Sequence, residues 1–272
     1  MMFLRARRFL HARSQQLGAR LWQARNSGHR IEVASAEIPT DELTSYKVQS
    51  EAVAASGHRR AGWKVGSTSS AAQKFLGTNG PGSSPLLEPF CHANNSTISL
   101  PFAHEPELEG EFVLRYGTDL PARPELYSLV EVLSAIDAVA PGLEVVGSRR
   151  HGGLFGQGPL MVNADFGTNM AFTHGEWQHD LRLLHELADT AVTLRVNGES
   201  VAEGTGALAL GSPLNVAVWL ANHLSQRGIG VRAGEIVSTG TCTGLQPVKP
   251  GDNVEVDFGP LGTVHASFIA DT

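Results

Sequence analysis

At 272 residues the chain can bury a substantial core, and 42% hydrophobic with 18% charged residues is the composition of a globular protein rather than a disordered one. A formal charge of −6 speaks against nucleic acid as a partner, and apolar runs such as VAVWLA at 216–221 fall far short of the roughly 20 residues a membrane helix needs. Two cysteines, Cys91 and Cys242, are too few for a disulfide framework and lack metal-type spacing, which fits a reducing compartment.

The first 31 residues carry seven arginines and no acid before Glu32, the charge bias of a mitochondrial targeting segment. The alternative is an amphipathic helix of the working protein, running to the turn signal NSG at 26–28 with Phe9, Leu17 and Leu21 or Trp22 on its apolar side. A second helix is expected over 40–56, with Thr40 as its cap. GWKVGSTSS, from Gly62, reads as a short strand and a turn. GTNGPGSSP (77–85) reads as a loop, either a lobe boundary or an active-site lid.

Past residue 97 the chain turns β-rich, except for PELYSLVEVLSAIDAVAP (124–141), whose apolar residues stand at helical spacing between prolines. A short strand, GLEVVGS, follows it. TAVTLRVNGESVAEG (190–204) alternates around Asn197-Gly198, a hairpin signal, and 212–228 reads as a helix capped by Ser212. The chain closes on a second hairpin with Val254, Val256 and Phe258 on one face. Strands outnumber helices and connect mostly through hairpins, which predicts an α+β domain around a mixed or antiparallel sheet.

HEPELEGEFVL (104–114) places Glu105, Glu107, Glu109 and Glu111 at every second position before an apolar run. In a strand they share one face. Such a face is either a charged sheet edge that discourages edge pairing or a cluster held together by a divalent cation. All-oxygen ligands select magnesium, manganese or calcium over zinc. Glu144, inside the apolar strand GLEVV, is a further carboxylate that needs a partner. Lys64, between Trp63 and Val65, either snorkels to the surface or is a desolvated proton donor or carboxylate anchor.

Six stretches in order, GWKVGSTS, PELEGEFVL, GLEVVGSR, NADFGTN, GSPLNVAVWLAN and STGTCTG…PVKPGD, resemble the 2-keto-4-pentenoate hydratase and 4-oxalocrotonate decarboxylase group of the fumarylacetoacetate hydrolase superfamily. The resemblance runs from about residue 17 almost to the end. It implies an α+β fold with a mixed β-roll core, divided into an extension over 1–15, a smaller α/β lobe over 16–95 that carries Lys64, and a catalytic domain over 96–272. By position it assigns metal binding to Glu107, Glu109 and Glu144, with Mg²⁺ or Mn²⁺ as cofactor, and catalytic roles to Lys64, Asp165 and Thr168. An aspartate that hydratases of the group place after the first lobe is missing from LLEPF, where it is displaced to Glu88 or lost at Pro89. The loop 149–162 also departs from the group and is expected to set the substrate, with His151 as a candidate acid or base; His104 is a weaker one.

What the resemblance implies is a lyase acting on 2-oxo or 2-hydroxy-enoic acids, with hydration of 2-hydroxypenta-2,4-dienoate-type substrates expected first. Decarboxylation of a 2-oxo-3-enedioate comes next, then C–C hydrolysis or tautomerisation, and, from another class, a catalytically silent subunit. A small-molecule 2-oxo acid is the expected partner, with no nucleic acid and no membrane, in a homo-oligomer that is cytoplasmic or, given the arginine-rich start, mitochondrial.

Overall fold

The computed structural model describes residues 2–156 and 158–271, with side chains from residue 12 onward. Phe9 and most of the 1–15 extension therefore lie outside the described side chains. The first helix, α1 (Met2–Ser27), buries Leu17, Leu21 and Ala24, so this stretch is a core element. Its apolar side packs on α2 (Glu42–Ser56) at Gly18, where an added Cβ would fall 2.7 Å from the Val48 carbonyl oxygen. Asp41, not Thr40, caps α2 by accepting from the Thr44 amide, and Gly57 at φ 67° ends it.

Strand β1 (Arg60–Gly66) leads to α3 (Ser70–Leu76), a short helix capped by Ser69. The expected loop at 77–85 is a loop only to Pro81. From there β2 (Gly82–Leu87) pairs antiparallel with β1, and Pro85 is tolerated because β2 is an edge strand. After β3 (Cys91–His92) and β4 (Ser96–Leu100) comes the long β5 (Glu107–Tyr116).

The expected helix over 124–141 shrinks to α4 (Leu129–Ala135), and β6 begins at once and runs Ile136–Val146. IDAVAPGLEVV is nearly continuous in apolar residues because β6 is covered on both faces, and such a run does not separate strand from helix by periodicity. Pro141 sits inside it opposite Phe112.

Next come α5 (Pro159–Ala164), β7 (Asn169–His174), and the hairpin of β8 (Ala191–Val196) and β9 (Glu199–Thr205). Asn197 at φ 53° and Gly198 at φ 87° form the hairpin turn as expected. Helix α6 (Pro213–Gln226) is capped by Ser212. The chain ends through β10 (Ile236–Ser238), β11 (Gln246–Pro247), β12 (Asn253–Asp257) and β13 (Thr263–Ala270).

Two sheets result. One has the order β4-β13-β12-β8-β9; the other runs β2-β1-β10-β5-β6-β7-β3, with β11 added to β5. In the second, Leu86 of β2, Ile236 of β10, Val113 of β5, Ala140 of β6 and Phe172 of β7 share one buried cluster. In a flat sheet β2 and β7 would stand about 24 Å apart, five spacings of about 4.8 Å. The sheet therefore curls into a roll. Its strands come from both sides of residue 95: β1, β2 and β3, from the stretch expected to form a smaller lobe, share the sheet with β5, β6, β7 and β10. No helix among the described residues is long and apolar enough to cross a membrane.

Candidate active site

Period two along β5 points Glu109, Glu111 and Val113 into the roll, and the antiparallel register sets Glu144 of β6 directly opposite Glu109. Like charges directly opposed destabilise a sheet. Oxygens of Glu109, Glu111 and Glu144 nonetheless lie within 4.8 Å of one another, all three residues buried. From β1, two positions along the curl, Lys64 reaches in. Its Nζ lies 3.0 Å from Glu144 Oε2 and 4.0 Å from Glu109 Oε2, and it donates to the Gly167 carbonyl at 3.0 Å.

Three carboxylates against one ammonium leave an excess of negative charge away from water. Burial raises Glu109 to about 7, with Lys64 opposing and Glu144 adding to the rise. Glu111 is pushed well above the usual carboxylate range, first by burial and then by Glu144 and Glu109. For Lys64 burial pulls downward, but the attraction of Glu144, Glu109 and Glu111 prevails and its pKa stands above the ordinary lysine value.

Further residues fix the cluster. Asn169 donates to Glu144 Oε1 at 2.8 Å, and Ser238 Oγ and the Gly240 amide donate to Glu111 Oε2. Glu111 Oε1 is buried with no hydrogen-bond partner. A buried carboxylate oxygen without a donor is costly unless a cation meets it. The donor set is all oxygen and its atoms lie within 4.8 Å of one another, about the span of one coordination sphere, which fits a hard divalent ion.

The turn beside Lys64 is held under strain. Phe166, Gly167 and Thr168 have φ of 54°, 58° and 62°, left-handed values that a β-branched threonine rarely adopts. Arg149 holds this turn from behind, donating to the Asp165 carboxylate at 2.8 Å and to the Thr168 and Asn169 carbonyls. In this arrangement the Gly167 carbonyl faces Lys64 and the Thr168 side chain lines the cavity.

The sequence expectations divide accordingly. Lys64, Glu109 and Thr168 line one cavity of about 420 Å³, and Glu144 is buried beside them, within reach of Lys64 and of the other two carboxylates. Glu107 lies outside that group: it opens β5, half-buried, one pleat further out, and the third carboxylate clustered with Glu109 and Glu144 is Glu111. Asp165 is fully buried between Arg149 and Arg150 and anchors the strained turn instead of facing the cavity. Glu88 lies at the opposite end of the strands, pairing with Arg59 at 3.4 Å in a separate cleft of about 760 Å³, too far along the sheet to exchange a proton with Lys64. His151 sits outside the cavity, 3.9 Å from Glu32. His104 is buried behind the cavity, where its Nε2 meets the His29 carbonyl. Glu111, Asn169, Ser238 and Arg149 were missed. For Glu111 alone a sequence signal existed, since the same alternation that offered 107 and 109 also offered 109 and 111.

A family model described as fumarylacetoacetate (FAA) hydrolase C-terminal matches residues 70–269. The 2-keto-4-pentenoate hydratase of Paraburkholderia xenovorans (strain LB400) is 33% identical over 254 residues, 91% of this chain and 92% of that protein. The 4-oxalocrotonate decarboxylase of Pseudomonas sp. (strain CF600) is 32% identical over 215 residues, 79% of this chain and 80% of that one. Among solved structures, 4-oxalocrotonate decarboxylase from Pseudomonas putida G7, complexed with magnesium and adipate, superposes with a TM-score of 0.84 at 31% identity, covering 94% of this chain and 97% of that chain.

Proposed function

The chain belongs to the fumarylacetoacetate (FAA) hydrolase C-terminal family, among the 2-keto-4-pentenoate hydratases and 4-oxalocrotonate decarboxylases, and on that premise we propose that it is a metal-dependent hydro-lyase of 2-hydroxypenta-2,4-dienoate-type acids. The observation that carries this reading is the buried Glu109, Glu111 and Glu144 trio with Lys64 3.0 Å from Glu144. Glu109, Glu111 and Glu144 would hold Mg²⁺ or Mn²⁺, which as a Lewis acid polarises the 2-oxygen of the substrate.

The chain's own groups supply the rest. Lys64, kept protonated by its acidic neighbours, is placed to hold the substrate carboxylate or to hand a proton to carbon as the dienol becomes the 2-oxo form. That proton enters at C5 while the 2-hydroxyl gives up its own, and the C3–C4 alkene is left conjugated to the 2-oxo group. Water then adds its oxygen at C4 and a proton arrives at C3. Thr168 Oγ, which donates to the Gly167 carbonyl at 2.6 Å, keeps lone pairs free to accept from the substrate.

The test is a paired assay on protein stripped of metal and then resupplied with Mg²⁺ or Mn²⁺. One arm follows loss of the dienoate chromophore from 2-hydroxypenta-2,4-dienoate, the other carbon dioxide release from 2-oxohex-3-enedioate. Metal-dependent chromophore loss supports the hydratase. Carbon dioxide release without it would move the function to the decarboxylase, the second reading, which the likeness to the solved Pseudomonas putida G7 enzyme favours.

The homo-oligomer rests on a surface feature. Leu126, Leu129 and Val130 are 65%, 45% and 73% exposed within five residues, an apolar patch that a second copy would cover. Light scattering on the purified protein decides it.

A further inference from the structure

The cavity above the acidic trio offers more room, and a different chemistry, than a five-carbon acid requires. At about 420 Å³ it lies in the range of pockets that enclose drug-sized ligands. Lys64, Glu109 and Glu111 line one part of it. The remaining walls include Phe75 and Leu76 of α3, Leu154 and Phe155 of the divergent loop, Val162 of α5, and Leu245. Phe75 and Phe155 meet edge to face with ring centroids 5.6 Å apart. Phe75 is otherwise 74% exposed, an aromatic ring kept in water at the rim of the cavity.

The polar groups along these walls are neutral hydroxyls such as those of Thr68, Ser69 and Thr241. Among the described residues lining the cavity the one cation is Lys64, already engaged by Glu144 and Glu109. A second carboxylate at the far end of a substrate would leave water without finding a counter-charge, which burial penalises heavily. An alkyl or aryl group would gain on entering, by about fourfold in affinity for each buried methylene.

We propose that the part of the cavity bounded by Phe75, Phe155, Leu154 and Leu245 is a specificity pocket for an apolar tail. The preferred substrates are accordingly 2-oxo or 2-hydroxy-enoic monocarboxylates with an alkyl or aryl substituent, and acids with a distal second carboxylate are excluded. This rests on the functional reading above for the placement of the C1 carboxylate and the 2-oxygen at the trio.

The experiment is calorimetric binding, in Mg²⁺, of three saturated acids that cannot be hydrated: 2-oxopentanoate, 2-oxooctanoate and 2-oxoadipate. The expected order places 2-oxooctanoate at least about tenfold tighter than 2-oxopentanoate, with 2-oxoadipate weakest. Phe75→Arg, at an exposed position that spares the core, should tighten 2-oxoadipate by about tenfold and weaken 2-oxooctanoate, and Phe155→Arg should do the same. Binding of 2-oxoadipate as tight as 2-oxooctanoate overturns the proposal, as does an unchanged ratio in both variants. Because none of these acids turns over, failure of the hydratase assay leaves the binding order free to judge the tail pocket. Failure of all three to bind overturns the pocket and the functional reading together.

Discussion

Asn169 donates its side-chain amide to Glu144 Oε1 across 2.8 Å, and Arg25 of the first helix holds Asn169 from behind at 2.9 Å. Arg25 also donates to the Asn169 and Met170 carbonyls and lies over the Phe90 ring, 3.9 Å from its centroid. The N-terminal helix is thus wired to the acidic trio through two side chains. We predict that Asn169→Leu weakens Mg²⁺ binding by about 10–100-fold, the usual cost of losing a residue that orients a ligand. Arg25→Met should weaken it less, because Asn169 can still reach Glu144. Titration of chelator-stripped protein checks both, and wild-type affinity in Asn169→Leu would sink the positioning role.

Glu111 and Glu107 make opposite predictions. Glu111 is buried in the trio with Oε1 free of donors, while Glu107 is half-buried outside it and its pKa is raised by burial and then by Glu105. Glu111→Gln should cost at least about tenfold in metal affinity, and Glu107→Gln should stay within about twofold of wild type. The reverse ranking would return the ligand role to Glu107.

How far the sequence carried these assignments depends on the physics involved. Alternation along 107–111 was readable, because a strand's period of two needs nothing beyond the strand itself, whereas Glu105 falls before β5, at φ 53° and paired with Arg30. The end of the usable register was not, since it depends on Glu109 facing Glu144 across β5 and β6, a pairing between residues 35 positions apart. Lys64 stood out as a cation among apolar neighbours, and its burial follows from β1 joining the main sheet beside β10. That contact also joins strands from both sides of residue 95 in one sheet. Asp165 misled because an acid in a matching motif looks the same whether it faces substrate or Arg149, and only the left-handed turn at 166–168 decides which. Glu88 misled in the same way: one end of a strand and the other are a few residues apart in sequence, yet open on different clefts.

Lys64 offsets part of the trio's charge, so its removal has two separable effects. Lys64→Met should lower turnover by about 10²–10⁴-fold through loss of a positioned acid. In metal-free protein it should also lower the melting temperature, because three buried carboxylates then face one another with no cation among them. Added Mg²⁺ should raise the melting temperature of the variant by more than it raises that of wild type. Near-normal turnover in Lys64→Met excludes the catalytic role, and an equal metal-induced shift in both proteins excludes the charge-balancing one.

Two histidines give the fold a defined response to acid. His104 is held down to about 4 by burial and then by Arg149; His223, stacked on Trp219 with centroids 4.5 Å apart, is held down to about 4 by burial and then by Arg227. Both imidazoles are neutral in the folded chain at pH 7, as they are in the unfolded chain above about 6.5. Between about 6.5 and 4 the unfolded state takes up protons that the folded state refuses, so these residues make stability fall as pH drops through that window. They add nothing to the pH dependence above it. His223→Phe removes one titrating group while keeping a ring to stack, and it should flatten the loss of stability between pH 6.5 and 4 without altering the slope above pH 7. Urea unfolding midpoints measured at half-unit steps across that range decide the matter: parallel curves for wild type and His223→Phe would mean that the imidazole is charged in the folded protein after all.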